Sequence, residues 1–138
     1  MNFSGPLEDR LAIRELNDQY CDATMTKDVA MWAETWAEDA EWVRRDTTFK
    51  GREAIVADAR KVIDSYSSAT FFCNLGSTHV EGHRATGRCH LIELFFFGNG
   101  PKIFFSFYED EYVKRAGRWF FQRRTFTLAN QGSFRFEG

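Results

Sequence analysis

Between residue 70 and the C-terminus the chain carries thirteen of its fifteen Phe, and they do not alternate with polar residues. Four runs, about 70–81, 84–97, 101–115 and 118–130, are rich in Phe, Tyr, Val, Ile or Thr and are bounded by turn signals. Those signals are Glu81-Gly82-His83, Gly98-Asn99-Gly100-Pro101 and Arg115-Ala116-Gly117. Connections this short join adjacent antiparallel strands, so the runs predict a meander. A sheet with one wet face alternates polar and apolar residues, yet Leu94-Phe95-Phe96-Phe97 and Ile103-Phe104-Phe105-Ser106-Phe107 do not. Both faces must therefore be covered. One can pack on helices or enclose a cavity; the other would meet a second copy of the chain, which predicts a homo-oligomer, a dimer or trimer.

The helices come from the first half. Ser4-Gly5-Pro6 offers an opening with a possible cap, and Glu8 and Asp9 suit the positive end of a helix dipole. Ile13, Leu16, Tyr20 and Ala23 or Thr24 then form one apolar stripe on a helix of about residues 7–25. Asp28 can cap a second, shorter helix carrying Met31, Trp32, Thr35 and Trp36. The strand-like alternation Ala40-Glu41-Trp42-Val43-Arg44 and the short Thr47-Thr48-Phe49 precede Gly51. From Arg52 to about Tyr66 a third helix shows Ile55, Ala59, Val62 and Tyr66 on one face. At 138 residues, with no linker or repeat, residues 1–138 read as one α+β domain.

Charge removes several function classes. A net charge of −2 gives no electrostatic case for nucleic acid or an anionic membrane. No apolar run reaches the ~20 residues of a membrane span, and the N-terminus lacks the regions of a signal peptide. Cys21, Cys73 and Cys89 are an odd number without CxxC spacing, which predicts reduced thiols in a cytoplasmic protein rather than disulfides or zinc. No phosphate-cradling glycine loop, nucleophile elbow or metal-ligand cluster is present, so no cofactor and no metal are expected. Aromatic residues at 17% instead predict a hydrophobic pocket for a small, largely apolar ligand.

Several segments carry a family likeness. Asp9-Arg10-Leu11-Ala12-Ile13-Arg14-Glu15-Leu16, then Tyr20, Asp28, Trp32 and Asp39-Ala40-Glu41-Trp42, resembles the opening of SnoaL-like proteins. Phe49-Lys50-Gly51-Arg52-Glu53-Ala54-Ile55, Glu81-Gly82-His83-Arg84-Ala85-Thr86-Gly87 and the pair Tyr108-Glu109-Asp110-Glu111-Tyr112 and Gly117-Arg118-Trp119-Phe120-Phe121 resemble later parts of the same family. The resemblance places the chain in the nuclear transport factor 2-like superfamily, with scytalone dehydratase and ketosteroid isomerase. It implies a cystatin-like cone-shaped barrel, a strongly curved, mostly antiparallel sheet wrapped around three N-terminal helices. Within the family the pattern is similar to the small lyases, including hexachlorocyclohexane dehydrochlorinase. These resemble one another in using a His base oriented by an Asp, assisted by Tyr and Arg.

Carried over by that resemblance, the Tyr matches Tyr20, the Asp falls at Met25, the His at Phe71 with Phe72 the next choice, and the Arg at Arg124 with Arg123 one register away. Neither Met nor Phe moves a proton, and no His lies between residues 1 and 78, so the family's usual dyad is missing. Of the three His, His79 and His83 flank a turn, and His90 has opposite parity to Cys89 and Leu91, which the resemblance puts on the pocket side. Tyr20 sits on the apolar stripe of the first helix, so its ring points inward and its hydroxyl needs a partner. Phe104, Ser106, Tyr108 and Asp110 share one strand face, inward by the resemblance. Asp110 would be a carboxylate in an aromatic cage, raised by desolvation unless Arg124 or Arg123 pairs with it.

The acid–base set this leaves is Tyr20, Asp110 and Arg124, with Met25, Trp42, Phe71, Cys89, Leu91, Phe104, Ser106 and Tyr108 expected to line the pocket. It suits a cofactor-independent lyase or isomerase acting on a hydrophobic cyclic or aromatic substrate. The other reading is a non-catalytic ligand-binding or auxiliary subunit, resembling the beta subunit of aromatic-ring dioxygenases, for which Met25 and Phe71 are the expected residues.

Overall fold

A computed structural model describes residues 1–137. Helix α1 (Leu7–Thr26) turns Ile13, Leu16, Tyr20, Cys21, Ala23 and Thr24 into the core, as its stripe predicts. Its start has no side-chain cap: Pro6 stands at the boundary, and the Pro6 carbonyl accepts from the Arg10 N–H at 3.1 Å. Lys27 ends it in the left-handed region (φ 58°), donating its N–H to the Ala23 and Thr24 carbonyls. Asp28 caps α2 (Val29–Ala33), accepting from the Met31 N–H at 2.9 Å.

That helix is one turn shorter than its sequence predicts. The Thr35 hydroxyl donates to the Trp32 carbonyl at 2.7 Å, and the Thr35 carbonyl accepts from the Phe121 N–H at 2.9 Å. The chain is thereby pulled into the sheet, and β2 (Trp36–Arg44) begins at Trp36 rather than Ala40. Strand β3 (Thr47–Lys50) returns antiparallel to it, and α3 (Arg52–Ile63) follows from Gly51, whose φ of 88° suits glycine. Tyr66, expected at the end of α3, instead opens β4 (Tyr66–Glu81).

The meander forms as predicted: β4 is followed by β5 (Arg84–Phe97), β6 (Gly100–Arg115) and β7 (Arg118–Ser133), each antiparallel to the last. Two pairings were not legible. A two-residue strand β1 (Phe3–Ser4) lies parallel to β4, and β2 lies parallel to β7 with Trp42 opposite Arg124. The result is one seven-stranded, mostly antiparallel sheet of order β1-β4-β5-β6-β7-β2-β3. It takes the cone form that the family resemblance implies but is not closed into a barrel, because β1 and β3 remain edges. The helices pack on its inner face, and the core between them includes Ile13, Tyr20, Trp32, Trp36, Tyr112 and Phe121.

The outer face keeps the apolar character that the unalternating runs predicted. Phe72, Ile92 and Phe105 are exposed there, and His90 is exposed with them. Phe96 packs with Phe134 and Phe136 of the C-terminal segment. Among the described residues no helix is long and apolar enough to cross a membrane. All three cysteines are free.

Candidate functional site

Strand register brings one polar cluster beneath the helices. Asp110 on β6 and Arg124 on β7 are direct cross-strand partners with side chains turned inward. Arg124 donates through Nε to Asp110 Oδ1 at 2.8 Å and through Nη2 to Oδ2 at 3.0 Å. The Tyr112 hydroxyl donates to the same carboxylate at 2.9 Å. Asn17 of α1 ties the cluster to the helix, donating to the Tyr112 hydroxyl at 3.1 Å and accepting from Arg124 at 3.1 Å.

The guanidinium also lies against the rings of Tyr108 (3.8 Å), Phe121 (3.9 Å) and Tyr20 (4.5 Å). Its Nη1 has no hydrogen-bond acceptor; the π faces compensate it. Burial opposes charge on Arg124, but Asp110 together with Tyr20, Tyr108 and Cys89 holds the guanidinium well above its ordinary range. Burial likewise pushes the Asp110 carboxyl up, against the pull of Arg124 and Tyr112.

Above this cluster is a cavity of about 220 Å³, walled mainly by Trp32, Trp42, Phe71, Phe95, Phe104 and Phe126. Tyr20 and Tyr108 form its floor, with their hydroxyls 3.2 Å apart. Burial drives the Tyr20 phenol well up and the Tyr108 phenol up to about 12, so both stay protonated donors at neutral pH. The Trp42 indole N–H faces the Tyr108 hydroxyl without reaching hydrogen-bond geometry and is an unused buried donor.

The cavity holds one carboxyl group, Glu93 of β5. Its cross-strand neighbours are Phe71 and Phe104, both on the cavity wall, and it is 7% exposed. The Ser106 hydroxyl donates to Oε2 at 2.9 Å and is the only hydrogen-bond partner of this carboxyl among the described residues. Burial raises Glu93 to about 7, against the smaller opposing effects of the Ser106 hydroxyl and the Arg124 charge. A carboxyl that titrates near neutrality can take or give a proton at working pH.

The expected site residues divide accordingly. Tyr20, Trp42, Phe71, Phe104 and Tyr108 line the cavity. Asp110 and Arg124 are brought together but do not line the cavity; the guanidinium lies against the rings of Tyr20 and Tyr108, which do. Ser106 reaches the site only through Glu93. Cys89 and Leu91 are buried on the inner face of β5 but do not wall the cavity.

Met25 is on the wrong side of α1. It is 36% exposed, whereas Thr24, one residue earlier, is on the helix stripe and lines the cavity. Arg123 pairs with Glu41 on the outside. Sequence reasoning missed Glu93, Thr24, Tyr66, Arg44 and Arg45. For Glu93 the signal was present: it shares the parity of Cys89 and Leu91 inside an otherwise apolar run. Among the described residues no group of three His, Cys, Asp or Glu is placed to hold a metal ion.

An α+β cone with an aromatic cavity between helices and sheet defines a small-molecule-binding class, and residues 5–125 match the SnoaL-like domain family. The chain belongs to that family. No curated protein sequence matches it. Among solved structures it is similar to a protein described as a candidate scytalone dehydratase from Novosphingobium aromaticivorans, with 18% identity and a TM-score of 0.86. That match covers 95% of this chain and 91% of the other. It is also similar to a hexachlorocyclohexane dehydrochlorinase from Novosphingobium barchaimii (23% identity, TM-score 0.82, covering 93% and 91%). A Mycobacterium tuberculosis protein of unknown function matches at 25% identity and a TM-score of 0.82, covering 89% and 77%.

Proposed function

We propose that the chain is a cofactor-independent lyase or isomerase acting on a small cyclic or aromatic substrate, with Glu93 as the group that moves the proton. The observation that carries this reading is a single carboxyl in an aromatic cavity, raised to about 7 by burial and opposite two protonated phenols. Glu93 would remove a proton from carbon next to a carbonyl or leaving group. The Tyr20 and Tyr108 hydroxyls would donate to the oxygen on which charge develops. Asp110 and Arg124 then act indirectly, fixing the two rings from below. The dehydratase and dehydrochlorinase names of the similar structures agree with this chemistry.

The test is a panel of cyclic ketones and cyclic alcohols, assayed for proton exchange at carbon and for elimination. Glu93→Gln is expected to lower the rate by about 10²-fold or more, and Tyr20→Phe by about 10-fold. For the wild type, kcat/KM should rise as pH passes through about 7, where the base ionises. A non-catalytic binding protein is favoured by Phe71 on the wall where the family's base would stand; equal rates in wild type and Glu93→Gln would remove Glu93 as the base, and ligand binding without turnover would support the non-catalytic reading.

The outer sheet face supports a homo-oligomer on this reading. Phe72, Ile92 and Phe105 are large apolar side chains on one exposed face, and a second copy is the occupant whose matching face would cover them.

A further inference from the structure

The cavity is lined mostly by apolar side chains, and the charged residues among them differ in sign and in exposure. Glu93 is the acidic one, and it is buried. The other charged residues lining it are Arg44 and Arg45, where β2 turns into β3. Arg44 is committed: its guanidinium pairs with Asp58 of α3 and lies 4.4 Å over the Trp42 ring and 5.1 Å over Phe49. Arg45 is not. It is exposed, it holds a left-handed backbone (φ 55°), and it makes no ion pair or side-chain hydrogen bond among the described residues. A residue that is exposed and also lines the cavity stands at its opening.

These placements restrict the ligand. An anionic group pushed deep would meet Glu93, whose ionised form repels it and whose apolar surroundings cannot solvate it. A wholly neutral ligand would leave the Arg45 guanidinium unused. A planar carboxylate at the mouth would meet a guanidinium fork that matches it in shape and charge. Building on the reading of this cavity as the ligand site, we infer that its natural ligand is a carboxylic acid with a cyclic or aromatic body. The ring would sit between Trp42, Phe71 and Phe104, and the carboxylate would be held at the mouth by Arg45.

This orients the ligand as well as selecting it. The carbon far from the carboxylate is presented to Glu93 and the phenol pair, so the reacting position would be remote from the acid group. The specificity element is thus a turn residue far from the proton-transfer groups in sequence.

The probes are 2-naphthoate and 2-naphthamide, alike in shape and different in charge, titrated by calorimetry into the full chain at low ionic strength. Wild type is expected to prefer the carboxylate by about 5–10-fold, and high salt should shrink the preference. Arg45→Gln should bring the two affinities together while leaving that for the amide within about 2-fold. Arg45→Lys should keep part of the preference. Equal affinities in wild type, or a preference that survives Arg45→Gln, would overturn the anion assignment while leaving the cavity reading standing. Failure of both probes to bind would overturn the cavity reading, and this inference with it.

Discussion

Glu93 is a carboxyl whose usefulness and cost have the same origin. Its ordinary value of 4.5 is raised to about 7 because the fold disfavours its charged form. Stability tied to the neutral carboxyl is fully present below about pH 4.5 and is lost as pH rises through about 7. The shift corresponds to about 3 kcal/mol, so urea unfolding at pH 5 and pH 8 should differ less in Glu93→Gln than in wild type. The Asp110–Arg124 pair differs in that its buried charges face each other. Asp110→Asn leaves a buried guanidinium without its counter-charge, and the expected loss is about 3–5 kcal/mol by denaturant unfolding. Parity along β6 put Asp110 on one face with Phe104, Ser106 and Tyr108, and the family resemblance turned that face inward; the choice between Arg123 and Arg124 was settled only by the β6–β7 register. What the sequence could not show is that this pair does not line the cavity and that its guanidinium lies against two tyrosine rings that do, because that depends on how deeply α1 sits in the sheet.

At the level of elements, strands in hairpins were legible and the crossing from helix to sheet was not. Arg115-Ala116-Gly117 marks the β6–β7 turn, and both central residues take positive φ, 50° at Ala116 and 76° at Gly117. Such a turn favours Asn or Gly first, so the Ala116 methyl group costs stability there. Ala116→Asn should raise Tm by about 2–4 °C in a thermal melt. The end of α2 is different. Trp32, Thr35 and Trp36 read as helical spacing, yet Thr35 leaves the helix because its carbonyl is claimed by Phe121, 86 positions later. Local pattern contains no trace of so distant an acceptor–donor match. The same holds for β1, where two residues pair only because Gly5 can pass close to Val80.

For the whole molecule, thirteen late Phe predict two covered faces; the helices cover one, and the other leaves Phe72, Ile92 and Phe105 exposed. The other predicts assembly: Phe72→Glu together with Phe105→Glu should convert an oligomer to a monomer in light scattering, without loss of far-ultraviolet helix and strand signal. The cone itself is finished by a single long-range union. Strand β2 borders β7, pairing Glu41 with Arg123 and Trp42 with Arg124 across most of the chain. A ribosome therefore releases the first half of this protein well before its sheet partner exists. Until the final strand emerges, Trp36 and Trp42 belong to a strand whose β7 neighbour has not yet been made. Parallel unions of such sequence separation form slowly, so the timing of folding is set at the last strand, and chaperone dependence would be concentrated in the interval before it arrives.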